Sequence, residues 1–280
     1  MAISVNSKKK QAKKTFDELL HDLRTSSSEK VRYNAARVLG EMGDANAVAP
    51  LIDVLKNDRN GSVRLYAARA LGELGEVSAS KPLIESLRED RNVDVRVRAA
   101  RALGRLGGKE VVIPLVEALN DENPQVCITA TDALIEIGDI AADSLIESLD
   151  SKKVNVRCDA TRALGEIGSK KAVNHIIKML KDEWVNVRIY AVTSLGKLND
   201  IKAVPALIEV MKNEKENELV RAGAAAALGV LRDQRALLPL RELIMKAEEL
   251  GELEDTALKS FKKIMAANWK PVNETMKKAG

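Results

Sequence analysis

Apolar residues recur along this chain at helical spacing, and the whole pattern repeats. A valine opens each of seven similar segments, and successive valines lie 30 to 33 residues apart: Val31, Val63, Val95, Val126, Val156, Val187 and Val220. A leucine stands eight residues after every one of them. Because apolar positions three, four and seven residues apart share one face of a helix, each segment predicts an amphipathic helix. We call it the second helix of a repeat.

A shorter apolar run precedes each of these segments and predicts a first helix. The runs at residues 50–55, 82–87 and 114–119 all read Pro-Leu followed by a mixture of apolar and polar residues. Glycine or asparagine follows each of the first six second helices, as at Gly75 and Asn199, where a left-handed backbone would end the helix. Neither helix of such a hairpin could bury its apolar face alone. The hairpins must therefore stack into one continuous core.

A further glycine lies inside six of the seven second helices. In this position stand Gly40, Gly72, Gly104, Gly165, Gly196 and Gly229. A glycine inside a helix costs about 1 kcal/mol relative to alanine, so its recurrence needs a compensating reason. We predict that a neighbouring helix approaches closely at each of these glycines.

The repeats set the predicted domain boundaries. Seven hairpins form one solenoid over residues 15–233, and two helices of weaker pattern cap it over 234–268. Residues 1–14 and 269–280 are predicted to be basic, mobile tails.

Charge is unevenly distributed between the tails and the body. The formal net charge is +4, yet the first fourteen residues alone contribute +5 and residues 259–280 contribute another +5. The body between them therefore carries about −6, which weakens a general argument for nucleic-acid binding. No signal-peptide pattern and no long apolar stretch occurs, so we expect a cytoplasmic protein that does not insert into membranes.

No enzyme motif is found in the sequence. It has no phosphate-binding loop, no dinucleotide glycine fingerprint and no paired-cysteine or paired-histidine metal motif. His21 and His175 are its two histidines, too few for a multi-histidine metal site. We therefore predict no catalytic residue, no metal and no cofactor.

The repeat resembles a known family. Residues 63–75 read Val-Arg-x-x-Ala-Ala-x-Ala-Leu-Gly-x-Leu-Gly, and residues 47–52 read Ala-Val-x-Pro-Leu-Ile. This pattern is similar to the short HEAT-like repeat of the phycobilisome-lyase type, and the resemblance covers roughly residues 15 to 245. It implies an all-α fold, a right-handed α-solenoid (superhelix) of about seven HEAT-like hairpins with a C-terminal helical cap. Deoxyhypusine hydroxylase has a similar repeat, but its dependence on several histidine–glutamate pairs excludes that activity here.

The resemblance also implies a polar ladder and a binding groove. In HEAT repeats a loop aspartate and an arginine of the second helix link neighbouring units, which here selects Asp58, Arg64, Asp90, Arg96, Asp182 and Arg188. Cys127 replaces the arginine in the fourth unit, where we expect the ladder to be interrupted. Second helices line the concave face in family members. The candidate groove residues, from one side of these helices, are Arg37, Tyr66, Arg69, Arg98, Arg101, Arg105, Arg162 and Tyr190.

Three functional hypotheses remain open at this point. The first is a non-catalytic scaffold or adaptor whose groove, centred on Arg69, Arg98, Arg101 and Arg105, binds a protein partner with an acidic or elongated surface. The alternatives are a subunit of a bilin lyase or isomerase-like enzyme and a nucleic-acid-binding HEAT-like protein. The arginines also have a purely structural interpretation, as solvated surface charges that pair with nearby glutamates.

Overall fold

The computed structural model describes residues 14–246 and 251–268, and both stretches are helical with no strand. The predicted tails lie outside the described residues, except for Lys14. The chain divides between Leu106 and Gly107 into two compact units. We call them the N-terminal unit and the C-terminal unit.

Three helical hairpins make up the N-terminal unit. Their first helices are α1 (Phe16–Thr25), α3 (Val48–Asn57) and α5 (Ser80–Glu89), and their second helices are α2 (Glu29–Met42), α4 (Gly61–Leu74) and α6 (Val93–Leu106). Single 3-10 turns at Ala45–Ala47 and Val77–Ala79 lead from one hairpin into the next. Each second helix begins two residues before the repeated valine, a small extension of the predicted helix.

Five hairpins make up the C-terminal unit as described. The first helices are α7 (Val112–Ala118), α9 (Ala142–Ser148), α11 (Val173–Met179), α13 (Val204–Lys212) and α15 (Leu237–Lys246). The second helices are α8 (Pro124–Ile137), α10 (Val154–Ile167), α12 (Val185–Leu198), α14 (Glu218–Leu231) and α16 (Glu252–Asn268). The 3-10 turns are Lys109–Val111, Gly138–Ala141, Lys170–Ala172, Ile201–Ala203 and Gln234–Ala236.

The core of both units follows the repeat. The leucines eight residues after each repeated valine are fully buried: Leu39, Leu71, Leu103, Leu134, Leu164, Leu195 and Leu228. Burial of a leucine side chain contributes roughly 1.5–3 kcal/mol, so this one position supplies a hydrophobic contact in each of the first seven hairpins. Within each unit, second helices pack on second helices and each first helix packs on its own partner.

The internal glycines allow the second helices to pack closely, as the sequence predicts. A Cβ atom added to Gly72 of α4 would lie 2.7 Å from the Cβ of Ala102 on α6. The same contact recurs between α2 and α4, where a Cβ on Gly40 would lie 2.7 Å from that of Ala70. A side chain at these glycines would push the helices apart.

The residue that meets such a glycine is small. Gly40 meets Ala70, Gly72 meets Ala102, Gly165 meets Ser194, Gly196 meets Ala227 and Gly229 meets Ser260. Except on α16, this residue stands seven positions after the repeated valine, and that position holds alanine or serine in the second to seventh repeats. In α2 it holds Val38, which lines an open cavity of about 670 Å³ together with Leu19, Val31 and Met42. Among the described residues no second helix precedes α2, so no glycine packs against Val38 and a larger residue is tolerated there.

Candidate partner-binding face

Four arginines meet on one side of the N-terminal unit. Arg69 lies on α4, while Arg98, Arg101 and Arg105 follow one another along α6. All four line one cavity of about 180 Å³. We call this group the arginine face.

Helical spacing explains why three of these side chains share a direction. Residues three, four and seven positions apart lie on one side of a helix, which is the spacing of Arg98, Arg101 and Arg105. Arg105 lies in the last turn of α6, where the negative end of the helix dipole favours a cation. Arg69 joins them because the close contact at Gly72 and Ala102 brings α4 next to α6.

The four arginines differ in their partners. The Nε of Arg69 donates to Glu73 at 2.8 Å, and this hydrogen bond is the main reason why the pKa of Arg69 is raised. Arg98, Arg101 and Arg105 have no hydrogen-bond or ion-pair partner among the described residues. Arg98 is half-buried, whereas Arg101 and Arg105 are exposed. Three of the four charges are therefore available to a ligand.

Two other predicted groove residues of this unit lie apart from the cavity. Arg37 on α2 pairs with Glu41 at 2.6 Å, one turn along its own helix. Tyr66 on α4 stacks on Tyr33 of α2, with ring centroids 5.1 Å apart and 19° between the ring planes. The sequence indicated Tyr66 but not its stacking on Tyr33.

The remaining two groove candidates belong to the C-terminal unit. Arg162 on α10 makes a long contact of 3.4 Å with Asp132 of α8. Next to it, burial raises the pKa of Asp159, with Arg162 opposing this shift and the charge of Asp132 adding to it. Tyr190 on α12 is 38% exposed. Neither residue lies on the arginine face.

The polar ladder of the N-terminal unit connects each second helix to the next hairpin. The Nε of Arg32 donates to Asp58 at 2.7 Å, and that of Arg64 donates to Asp90 at the same distance. The Nη1 of Arg64 also donates to the carbonyl of Asp58, at 2.8 Å, and that of Arg96 to the carbonyl of Asp90, at 2.9 Å. The Nη1 of Arg32 likewise donates to the carbonyl of Ser26, at 2.9 Å. The arginines therefore bind carbonyl groups of their own loops, and the ion pairs of Arg32 and Arg64 connect these loops to the next hairpin.

The ladder of the C-terminal unit has a break where the sequence lacks an arginine. The Nε of Arg157 donates to Asp182 at 2.7 Å, and that of Arg188 donates to Glu216 at 2.9 Å. Cys127 replaces the arginine of α8, and its Sγ contacts the carbonyl of Asp121 at 3.3 Å. In the next hairpin Ser151 stands in the aspartate position, since its carbonyl accepts from Arg157. Both members of the ion pair are therefore replaced together.

Arg32, Arg157 and Glu216 are ladder residues that the sequence-based selection missed. Arg32 and Arg157 occupy the same place after the repeated valine as Arg64, which was a usable signal. Glu216 lies in a longer loop of different sequence, so its role required the structure.

The ladder shifts the ionisation of its aspartates. Burial acts to raise the pKa of Asp58, but hydrogen bonds from Arg32 and the Asn60 backbone outweigh it and hold the pKa below its usual range. The pKa of Asp182 is lowered for the same reasons, with Arg157 and the Trp184 backbone as donors. Both carboxylates stay ionised well into acid.

The surroundings of both cysteines in the C-terminal unit disfavour their thiolate forms. Burial, together with the charges of Asp159 and Asp182, raises the pKa of Cys158 to about 11. Burial also raises the pKa of Cys127. A thiol needs its thiolate form to act as a nucleophile, so neither group is activated for covalent chemistry at neutral pH.

The described residues form neither a metal-ligating cluster nor a membrane-spanning helix. Within residues 14–246 and 251–268, no three His, Cys, Asp or Glu side chains gather as a metal site would require. Over the same residues, no helix combines the length and the apolar character needed to span a bilayer.

Comparison with known proteins identifies the repeat. The family model of HEAT repeats matches residues 16–92, 80–155, 142–219 and 176–262. The chain belongs to the HEAT-repeat family. This confirms the resemblance seen in the sequence and extends HEAT repeats into α16. No curated protein matches the chain.

Solved structures with a similar fold include a larger HEAT-type solenoid. Kap121p matches 90% of this chain over 37% of its own length, at 14% identity and a TM-score of 0.56. This likeness shows the fold, an α-solenoid of HEAT repeats. The CpcE–CpcF complex of phycocyanin lyase from a Nostoc species covers 94% of this chain and 100% of its own, at 24% identity and a TM-score of 0.47. Human deoxyhypusine hydroxylase covers 90% and 96%, at 21% identity and a TM-score of 0.40.

Proposed function

We propose that this protein is a cytoplasmic, non-catalytic interaction scaffold whose arginine face binds an acidic segment of a protein partner. One observation supports this above all: three arginines without a partner among the described residues share one cavity with Arg69. Like charges on adjacent turns of a helix repel one another and destabilise it by a few tenths of a kcal/mol per pair. A ligand with negative charge removes that repulsion.

The surroundings of the arginine face favour a macromolecular ligand. A stack of HEAT hairpins presents an extended surface, and the Tyr33–Tyr66 pair adds aromatic area on the neighbouring helices α2 and α4. Arginine and tyrosine are both enriched among residues that dominate protein–protein binding. An acidic segment could pair with the guanidinium groups bidentately.

The two alternative functions, a lyase-like enzyme subunit and a nucleic-acid-binding protein, are less well supported by the described residues. A bilin lyase-like enzyme would need an activated group, and the Cys158 thiol is protonated at neutral pH because its pKa is raised to about 11. A nucleic-acid-binding role is disfavoured because the body of the protein carries a net negative charge, which repels the phosphate groups of a nucleic acid.

The test is an affinity capture from the cytosol of the native host with two matched variants. One is Arg98→Gln, Arg101→Gln, Arg105→Gln, which neutralises the α6 part of the face. The control is Arg24→Gln, Arg59→Gln, Arg91→Gln, which removes the same charge from exposed sites outside it. We expect the first variant to lose a defined protein that the wild type and the control both retain.

Two further conditions make the result decisive. Circular dichroism must show that both variants keep the helical content of the wild type, and the lysate is treated with nuclease before capture. Retention of every captured protein by the first variant would refute the arginine face as the binding site. Loss of all captured material on nuclease treatment would favour nucleic acid instead.

A further inference from the structure

The cavity of the arginine face is compact. Its volume is about 180 Å³, compared with about 670 Å³ for the open cavity beside α2. Gly72 and Ala102, the small residues at which α4 and α6 pack closely, also line the smaller cavity. Arginines from both helices therefore reach the same small volume.

The charges around this volume do not balance. Four guanidinium groups and one carboxylate, that of Glu73, line the cavity. Glu73 is already engaged by Arg69 at 2.8 Å. The remaining charge is that of Arg98, Arg101 and Arg105, which meet no carboxylate among the described residues. A compact ligand with two negative charges would neutralise most of this excess at one point.

A phosphoryl group meets these requirements better than a carboxylate does. A phosphate monoester carries about −1.5 to −2 charges at neutral pH and three acceptor oxygens, whereas a carboxylate carries one charge and two oxygens. Guanidinium groups pair with phosphate oxygens through two parallel hydrogen bonds, which lysine cannot do. All the cations that line the cavity are arginines.

We infer that the cavity recognises a phosphorylated Ser, Thr or Tyr within the acidic partner segment. This inference rests on the proposed function, because it assumes that the arginine face binds a protein segment. It adds that the partner is bound in its phosphorylated state. Binding would then be switched by the enzymes that add and remove that phosphate.

The experiment uses three fluorescein-labelled peptides of one sequence, Gly-Glu-Asp-Gly-X-Gly-Asp-Glu-Gly, with X as Ser, phosphoserine or Glu. Their affinity for the full chain is measured by fluorescence anisotropy at physiological salt. We expect the phosphoserine peptide to bind at least about tenfold more tightly than either of the others. Equal affinity of the phosphoserine and Glu peptides would overturn the inference.

Three double variants test the mechanism. The double variant Arg101→Gln, Arg105→Gln should abolish the preference for phosphoserine. The control double variant Arg59→Gln, Arg91→Gln should leave that preference unchanged. Arg101→Lys, Arg105→Lys keeps both charges but removes the paired hydrogen bonds, so the preference should fall although the peptide still binds. Full preference in the Gln variant would place the phosphate elsewhere and refute the site.

Inorganic phosphate distinguishes a peptide-bound phosphate from a free one. We expect half-displacement of the phosphoserine peptide to need at least about ten times more inorganic phosphate than the peptide's own Kd, because the flanking acidic residues add to binding. Displacement at an equal concentration would show a site for the free anion and overturn the peptide assignment.

The outcomes also separate this inference from the function on which it rests. Capture of a partner by the arginine face with no preference among the peptides would refute phosphate recognition alone. Failure of the capture experiment would refute the scaffold function itself.

Discussion

At the scale of single residues, the ladder shows how a repeated ion pair stabilises a stack. Arg32 and Asp58 are both nearly inaccessible, with side-chain exposures of 9% and 8%. A buried pair of this kind contributes little net energy compared with an apolar pair, but the loss of one member leaves an uncompensated charge. The ladder therefore fixes the register of neighbouring hairpins more than it adds stability.

The lowered pKa of Asp58 leads to a prediction in acid. Its folded pKa lies below the unfolded value of about 3.9, so its stabilising effect is present above that pH and is lost as the pH falls through the folded pKa. Asp58→Asn should lower the free energy of unfolding by roughly 1–3 kcal/mol at pH 7 and should flatten its decline below about pH 4.

Urea denaturation between pH 2 and pH 7, followed by circular dichroism, measures this effect. Asp53→Asn serves as the control, because Asp53 is an exposed carboxylate of the same hairpin. Wild-type behaviour of the Asp58→Asn protein across this range would show that the ladder pair has no energetic role.

At the scale of helices, the contact between second helices depends on glycine. Gly72→Ala gains about 1 kcal/mol in helix propensity, but the added methyl would lie 2.7 Å from the Cβ of Ala102. Overpacking of this kind typically costs about 1–3 kcal/mol, so we expect net destabilisation. Thermal unfolding of the variant should therefore show a lower Tm than that of the wild type.

The double variant Gly72→Ala, Ala102→Gly provides the control. It moves the methyl group across the contact and should recover only part of the lost stability, because the Cα of Ala102 still lies 2.9 Å from the added Cβ. A Gly72→Ala protein as stable as the wild type would contradict the close contact.

Periodicity alone predicted most of the helices, since a buried stripe such as Leu39, Leu71 and Leu103 recurs without exception. It predicted the grouping of Arg98, Arg101 and Arg105 for the same reason, because all three lie on one helix. Arg69 was grouped with them because it stands, like Arg101, six residues after its repeated valine, whereas the cavity that all four arginines line required the structure. The Tyr33–Tyr66 stack was hidden because the two tyrosines occupy different positions of their repeats.

The end of the chain shows a further limit of pattern reading. Helices α15 and α16 have lost the Val-Arg motif, and the sequence presented them as a cap. In the structure Gly229 of α14 meets Ser260 of α16, with an added Cβ 2.5 Å from the Ser260 Oγ. The close contact between a glycine and a small residue therefore continues in α16, although the Val-Arg motif is absent there.

At the scale of the whole molecule, the arginine face lies entirely within the N-terminal unit. That unit has three hairpins, about the number that a repeat array needs in order to fold. We expect a fragment of residues 1–108 to fold and to bind the phosphoserine peptide with the affinity of the full chain. Its Tm should be several degrees lower, because each hairpin is stabilised mainly by its neighbours.

Circular dichroism and fluorescence anisotropy on the fragment check this expectation. A matched fragment of residues 107–280 contains Arg162 and Tyr190 but none of the four arginines, and it should not distinguish the peptides. Binding by the second fragment instead of the first would contradict the location of the site. The continuity of residues 15–233 as one solenoid stays a prediction.

Val38 has a consequence for how such a chain can change in length. Where a second helix carries the internal glycine, the next second helix within the same unit meets it with alanine or serine, so a hairpin duplicated between such neighbours would find a matching surface on both sides. A hairpin added ahead of α1 would press its glycine against a valine. New hairpins therefore have to be inserted downstream of the first one. This holds both for gene duplications that lengthen the protein and for designs that copy its hairpins.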